Sequence, residues 1–332
     1  MSSLEDEFQR SLDALRIPFE KIESATLIAE SFSSGDLYRA QLVLQSEEKI
    51  DILVRAFEVT QYTFLKIVMI VMLKHENISP TLHCALDDSA LNLSESGRIF
   101  LIHKIEANGN LAEHLSSSAG STGLTWPQRL SICIGVGQAL KFIHDSDFGE
   151  PGCYVIHGNI KSSQILLDDE WQPKLQGFES AMVAQRNTLF ATNEYNPALQ
   201  HKDPAYEKSG ALTDKSDVFS YGVVLFEVLF GRNASSPPPN EAQEDDWNFA
   251  EFARSHCKNK TLDDVIDPDM RKHMDSDSIQ IFSKVACACL TEQREERPNM
   301  DKVVRELENS LRLQKKHVRS LFAFLFSTFL ST

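Results

Sequence analysis

None of the six cysteines (Cys84, Cys133, Cys153, Cys257, Cys287 and Cys289) forms a CxxC pair, which argues against a zinc site. Basic charge is in deficit. The formal net charge of −15 repels phosphate backbones and argues against a nucleic-acid partner; otherwise acidity of this kind serves solubility. Runs long enough to cross a bilayer are missing. The apolar C-terminal stretch SLFAFLFSTFLST (Ser320–Thr332) would span about 20 Å as a helix at about 1.5 Å per residue, against about 30 Å of hydrocarbon. The opening MSSLEDEFQR is polar and acidic, with Ser2 in place of Gly, so neither a signal peptide nor N-myristoylation is expected. A cytoplasmic protein with reduced thiols follows from these absences. Cys133, Cys287 and Cys289, in apolar helical stretches, read as buried thiols. No internal repeat is visible.

What is present suits a globular protein. The hydrophobic fraction is 42% over 332 residues, enough for one large domain or two lobes with separate cores. LYRAQLVL and KIDILVRAF, between Phe32 and Phe57, and RIFLIH (Arg98–His103) read as strands. TFLKIVMIVMLK (Thr63–Lys74) is long enough for three helical turns. Its run Ile67–Leu73 is apolar on every face, whereas a helix on a surface should carry a polar stripe; cover by residues 4–30 is the favoured explanation, a docking surface the other. TWPQRLSICIGVGQALKFIHD (Thr125–Asp145) is an apolar-periodic helix with Thr125 as its N-cap and Pro127 in the first turn. Thr213–Phe230 reads as a second buried helix. SSSAGSTG (Ser116–Gly123) is a flexible loop, and SSPPPNEAQEDD (Ser235–Asp246) a Pro-rich acidic surface insertion.

Two segments carry the chemistry: VIHGNIKSSQ (Val155–Gln164) and KLQGFE (Lys174–Glu179). Together with HENI (His75–Ile78), ANGNLAEHL (Ala107–Leu115), DPAY (Asp203–Tyr206) and REERPNMDKVVRELE (Arg294–Glu308), they resemble the catalytic loop, the metal-binding segment and the flanking motifs of protein kinases. The similarity is greatest to plant receptor-like and receptor-like cytoplasmic kinases and runs from Ile17 to Leu311. It implies a bilobal α+β fold, with an antiparallel N-lobe sheet and its αC helix, then a mainly helical C-lobe. The expected divisions are a lead-in at residues 1–30, an N-lobe at 31–104, a C-lobe at 105–311 and a basic, then apolar tail at 312–332.

The resemblance also assigns the site, and there this chain departs from the family. His157, Lys161 and Phe178 stand where the family has the same residues. Asn159 replaces the catalytic Asp, Gln164 the metal-binding Asn and Gly177 the metal-binding Asp. Arg55 falls on the strand-3 Lys, and Lys66, nine residues before His75, on its αC Glu. Two such cations repel and should not close together without an anion between them. Asn159 can hydrogen-bond but cannot take up a proton as a carboxylate does. Gly177 has no ligand atom for a cation that prefers hard carboxylate oxygens. Gly35 is the one glycine of SFSSGDLYRAQL, the counterpart of the phosphate-covering loop. Gly158 replaces the Arg that reads activation-loop phosphorylation, leaving Thr188, Thr192 and Ser209 as hydroxyls for another kinase. Ala205 replaces the Glu that would pair with Arg297, so Glu292 or Asp217 becomes the expected partner.

From these positions a catalytically inactive scaffold or decoy is expected, not an enzyme, with active receptor-like kinases or immune receptors as protein partners. A weak or unorthodox serine/threonine kinase and a metal-independent nucleotide switch are the alternatives. No cofactor is assigned. ATP binding is expected to be weak or absent, with Arg55, His103 and Ile105 as its pocket candidates, and Mg²⁺ is not expected. Ser320–Thr332, preceded by Lys315, Lys316 and Arg319, is open to three roles: peripheral contact with the plasma membrane, packing on the C-lobe, or engagement of a partner.

Overall fold

The computed structural model describes residues 2–29, 36–44, 46–58, 60–86, 97–115, 123–186, 190–191, 201–236 and 247–329. Gly35, Thr188, Thr192 and most of the Pro-rich insertion lie outside them. The chain opens with α1 (Ser2–Leu15) and a 3₁₀ turn, Phe19–Lys21. Then come β1 (Ile22–Ala29), β2 (Asp36–Val43), β3 (Lys49–Glu58), α2 (Gln61–Met72), β4 (His83–Leu86) and β5 (Arg98–Lys104). The strands form one sheet in the order β1-β2-β3-β5-β4, with every neighbouring pair antiparallel.

Side chains of a strand alternate between faces, and β3 uses both. Ile52 and Val54 bury with Ala40, Leu42 and Ile102 on one face. Phe57, two residues beyond Arg55, buries on the other among the residues of α2. The sequence of β3 thereby places Arg55 on the side that faces the helix.

Helix α2 begins in a reciprocal capping box. The Thr60 hydroxyl accepts from the Thr63 N–H, and the Thr63 hydroxyl accepts from the Thr60 N–H; the pair satisfies two of the N–H groups that a helix start leaves orphaned. Helix α1 provides the cover that the all-round apolar surface of α2 requires. Phe8 and Leu12 are buried, and the Phe8 ring meets Phe64 edge-on at 5.4 Å.

The second lobe starts with α3 (Leu111–Leu115) and α4 (Trp126–Asp145), the latter boxed by Thr125 and Gln128 with Pro127 in its first turn. Short strands follow: β6 (Cys153–Ile156), β7 (Ile165–Leu167), β8 (Pro173–Leu175), β9 (Met182–Gln185) and β10 (Phe190–Ala191). β6 pairs with β9 and β7 with β8. Next are α5 (Pro204–Ser209), β11 (Ala211–Leu212), α6 (Asp214–Phe230), α7 (Phe249–Asn259), α8 (Pro268–Arg271), α9 (Ser276–Cys289) and α10 (Met300–Phe329). Helix α6 is capped by Thr213 and is buried almost throughout, as the lobe's central member. This is the bilobal α+β kinase-like fold that the resemblance implied.

One expectation about thiols is corrected. Cys257 and Cys287 form a disulfide that joins α7 to α9, with their Cα atoms 6.2 Å apart. Cys287 is therefore not a free buried thiol. Its partner comes from a facing helix 30 residues away, a proximity that local spacing does not show. Cys133 and Cys289 are free and buried, and burial pushes each thiol up to about 12. Helix α10 continues past Leu311, and Gln314 ties that extension down: its amide nitrogen donates to the His273 carbonyl at 2.9 Å, and its oxygen accepts from the Asp275 N–H at 2.7 Å. Among the described residues no helix is long and apolar enough to cross a membrane.

Candidate active site

Between the lobes, the loop that follows β6 is built around Asp217 of α6. Its buried carboxylate accepts from the His157 N–H at 2.7 Å and the Gly158 N–H at 2.8 Å, and from the His144 ring at 2.9 Å. His157 then links the two chemistry-bearing segments. Its Nε2–H donates to the Gln176 carbonyl at 3.0 Å, and its Nδ1 accepts from the Asn159 N–H at 3.1 Å. The acceptor bond at Nδ1 requires the neutral ring, whereas the donation from Nε2 does not. Burial supplies the same preference, pushing the His157 pKa down to about 4 against an opposing pull from Asp217. The Phe178 ring packs edge-on against it at 4.6 Å. Asn159 and Lys161 lie half-buried on this anchored loop.

Arg55 points into the same cleft and meets Glu179 at 2.6 Å, with side chains only 15% and 10% exposed. Glu179 is the anion that Arg55 meets in the cleft. It sits on a 3₁₀ turn, Phe178–Ser180, and that turn packs against α2, the helix carrying Lys66. The sequence motifs do not single out Glu179 as the partner of Arg55. The signal was the clash of charge at Arg55 and Lys66, which left a carboxylate to be found. His103, at the inner end of β5, donates from Nδ1 to the Pro80 carbonyl at 3.2 Å. Burial, helped by the charge of Arg55, pushes it down to about 4, so this wall of the cleft is neutral. Ile105 is half-buried just beyond it.

Gln164 and Gly177 are complementary in volume. Gly177 is left-handed (φ +96°), and a Cβ built on it would lie 2.9 Å from Cδ of Gln164 and 3.0 Å from Oε1. The longer amide fills the space where a side chain at 177 would begin. The residues present therefore do not fit Mg²⁺: Gly177 offers no oxygen, Gln164 is a neutral ligand packed into the gap, and Glu179 is held by Arg55. Among the described residues no cluster of three His, Cys, Asp or Glu side chains is placed to hold a metal. A polyphosphate has a matching cation in Arg55, though one already occupied.

The partner of Arg297 also differs from expectation. Its guanidinium binds Asp203 at 2.7 Å, and Glu292 contributes only its backbone carbonyl; Asp217 is committed to the catalytic-type loop. Asp203 further accepts from Arg294, the Ser216 hydroxyl and the Ala205 N–H. Burial raises its pKa, but the Arg297 bond and charge, with Ala205 and Ser216, hold the carboxyl below its ordinary value. An acid two residues before Ala205 thus takes over the anchoring of the buried arginine.

Comparison with known proteins defines the class. The family described as protein tyrosine and serine/threonine kinase matches residues 29–307, and the chain belongs to that family, within its branch related to plant receptor-like kinases. It is 36% identical over 223 residues to receptor-like protein kinase HERK 1 of Arabidopsis thaliana, covering 67% of this chain and 26% of that protein. It is 31% identical over 322 residues to the nodulation receptor kinase of Pisum sativum (94% and 33%), and 32% identical over 222 residues to Arabidopsis FERONIA (67% and 24%). The chain spans about a quarter to a third of the length of these relatives. The expectation that the chain is not an enzyme is overturned here: all three relatives are named as kinases, and side-chain replacement alone had carried that expectation.

Proposed function

We propose that the chain is an unorthodox, slow ATP-dependent serine/threonine kinase domain working in plant receptor-type signalling. The observation that carries the reading is the buried Arg55–Glu179 pair at 2.6 Å. It keeps a cation on β3 aimed into the cleft, beside a loop that Asp217 and His157 hold rigid. Phosphoryl transfer depends chiefly on positioning and electrostatic stabilisation, with little covalent work for the protein. Arg55 and Lys161 are the cations available for phosphate oxygens, and Ile105 and His103 the wall for the base. The missing carboxylate at Asn159 has a definite cost, since a general base contributes about 10²–10⁴-fold. The expected rate is lower than an orthodox kinase by that order.

The test is incorporation of phosphate into Ser or Thr, followed by mass spectrometry with ATP in EDTA, Mg²⁺ or Mn²⁺. The reading predicts slow incorporation that Arg55→Ala abolishes. No incorporation under any condition, or incorporation indifferent to Arg55→Ala, overturns it. A second reading, a nucleotide-binding switch that needs no metal, is favoured by the Gln164 side chain filling the space beside Gly177. It predicts a melting shift with ATP that is the same with and without Mg²⁺.

The proposed setting is the cytoplasmic face of the plasma membrane, with active receptor-like kinases or immune receptors as partners and Ser320–Thr332 as the peripheral contact. The division into lead-in, two lobes and tail at residues 30, 104 and 311 is part of the proposal. Of Thr188, Thr192 and Ser209, the hydroxyls proposed for modification by another kinase, Ser209 lies among the described residues, and its Oγ donates to the Ala205 carbonyl.

A further inference from the structure

Glu179 has no counterpart in the assigned chemistry of the cleft, yet it is nearly buried and paired there. Gly177, in its left-handed conformation, starts the 3₁₀ turn that carries it. Phe178 pins the same turn against His157, and α2 packs on it. The carboxylate therefore does not reach Arg55 by a chance swing of a surface side chain. With both partners nearly buried, water screens the pair weakly, and the attraction is far stronger than at an exposed site. The guanidinium is thereby occupied by an internal anion, a charge-assisted oxygen acceptor such as it would otherwise take from a ligand.

We propose that Glu179 is a built-in competitor for anionic ligands at Arg55. It holds the guanidinium when the cleft is empty, and a polyphosphate binds by displacing it. The proposal rests on the reading of the cleft as a nucleotide site and adds a device that sets its selectivity. A ligand must carry enough negative charge to displace a buried carboxylate. A metal-free triphosphate meets that demand better than its magnesium complex, whose charge is partly neutralised. The selectivity thus runs opposite to that of a site built around metal carboxylates.

The experiment is calorimetric titration of the full chain with two probes, ATP in EDTA and inorganic tripolyphosphate. Glu179→Gln keeps the size and hydrogen-bonding oxygen of the side chain while removing its charge. The variant is expected to bind both probes at least tenfold more tightly than the wild type, and Arg55→Ala added to it should remove the gain. Glu179→Asp, one methylene shorter and still charged, serves if the Gln variant does not fold; a smaller gain in the same direction is expected. Equal or weaker binding by both variants overturns the proposal, as does a gain that survives Arg55→Ala. If the wild type binds ATP and Glu179→Gln binds it no more tightly, the competitor role alone falls. If no variant binds either probe, the nucleotide-site reading falls with it.

Discussion

The buried His157 ring accepts the Asn159 N–H at Nδ1 only while it is neutral, and that makes the fold sensitive to acid. Its folded-state pKa lies near 4, against an ordinary value of 6.5. Below 6.5 the unfolded chain takes up a proton that the folded chain refuses, so stability falls as pH drops from about 6.5 to about 4 and then levels. The loss from this residue is on the order of 3 kcal/mol, and His103 adds to it in the same direction. Urea midpoints at pH 7.5, 6 and 5 should fall in that order, and His157→Asn should flatten the trend while lowering stability at pH 7.5. Asp203 answers to a lower window: its stabilisation is present above the ordinary carboxylate value and is lost only as pH falls through its depressed one. Removing it leaves Arg297 buried without its anion. Asp203→Ala should therefore cost about 3–5 kcal/mol, read as a shift in the urea midpoint, with Asp203→Asn losing less. Sequence motifs located His157 and Arg297 but not the partners of Arg55 and Arg297. Glu179 lies two residues after Gly177 and Asp203 two residues before Ala205, where only the folded backbone reveals their reach.

At the scale of elements, helices were legible because several signals agreed. At Thr125 a cap, a first-turn proline and an apolar pattern fall together; Thr60 and Thr213, not singled out in the sequence, cap α2 and α6 in the same way. The cover of α2 by α1 was legible from a helix with no polar face. The bond between α7 and α9 was not, because Cys257 and Cys287 approach only when two helices pack. That bond closes a loop of 30 residues, for which the chain-entropy model gives about 3–4 kcal/mol. Dithiothreitol should lower the urea midpoint of the wild type accordingly. The double variant Cys257→Ser, Cys287→Ser should begin lower and ignore the reductant, and an unchanged wild-type midpoint would refute the staple.

Over the whole molecule, the two lobes and their order were readable because kinase motifs are spread along most of the chain. The tail was less readable, since an apolar run does not say whether a helix continues into it. Ser310 and Gln314 are buried polar groups that anchor α10: Ser310 donates to the Ser278 carbonyl, and Gln314 holds the segment before α9. Truncation after Arg319 should keep the urea midpoint within about 0.5 kcal/mol of the full chain. Truncation after Leu311 removes both bonds of Gln314 and leaves the Asp275 N–H and His273 carbonyl without partners, which should cost about 1–3 kcal/mol. A large loss from the shorter truncation would show that residues beyond 319 support the fold.

The paired volumes at Gln164 and Gly177 impose an order on genetic change. A carboxylate introduced at 177 must evict the Gln164 amide and pull the backbone out of its left-handed conformation, so the single substitution meets an obstacle that its family position does not predict. Shortening Gln164 first opens the space but provides no acid. Neither step alone is rewarded, and each alters the background on which the other is judged. Reversion to a metal-binding pair is thus a valley crossing, and a library diversified at 164 and 177 together should recover variants that two successive single-site screens miss.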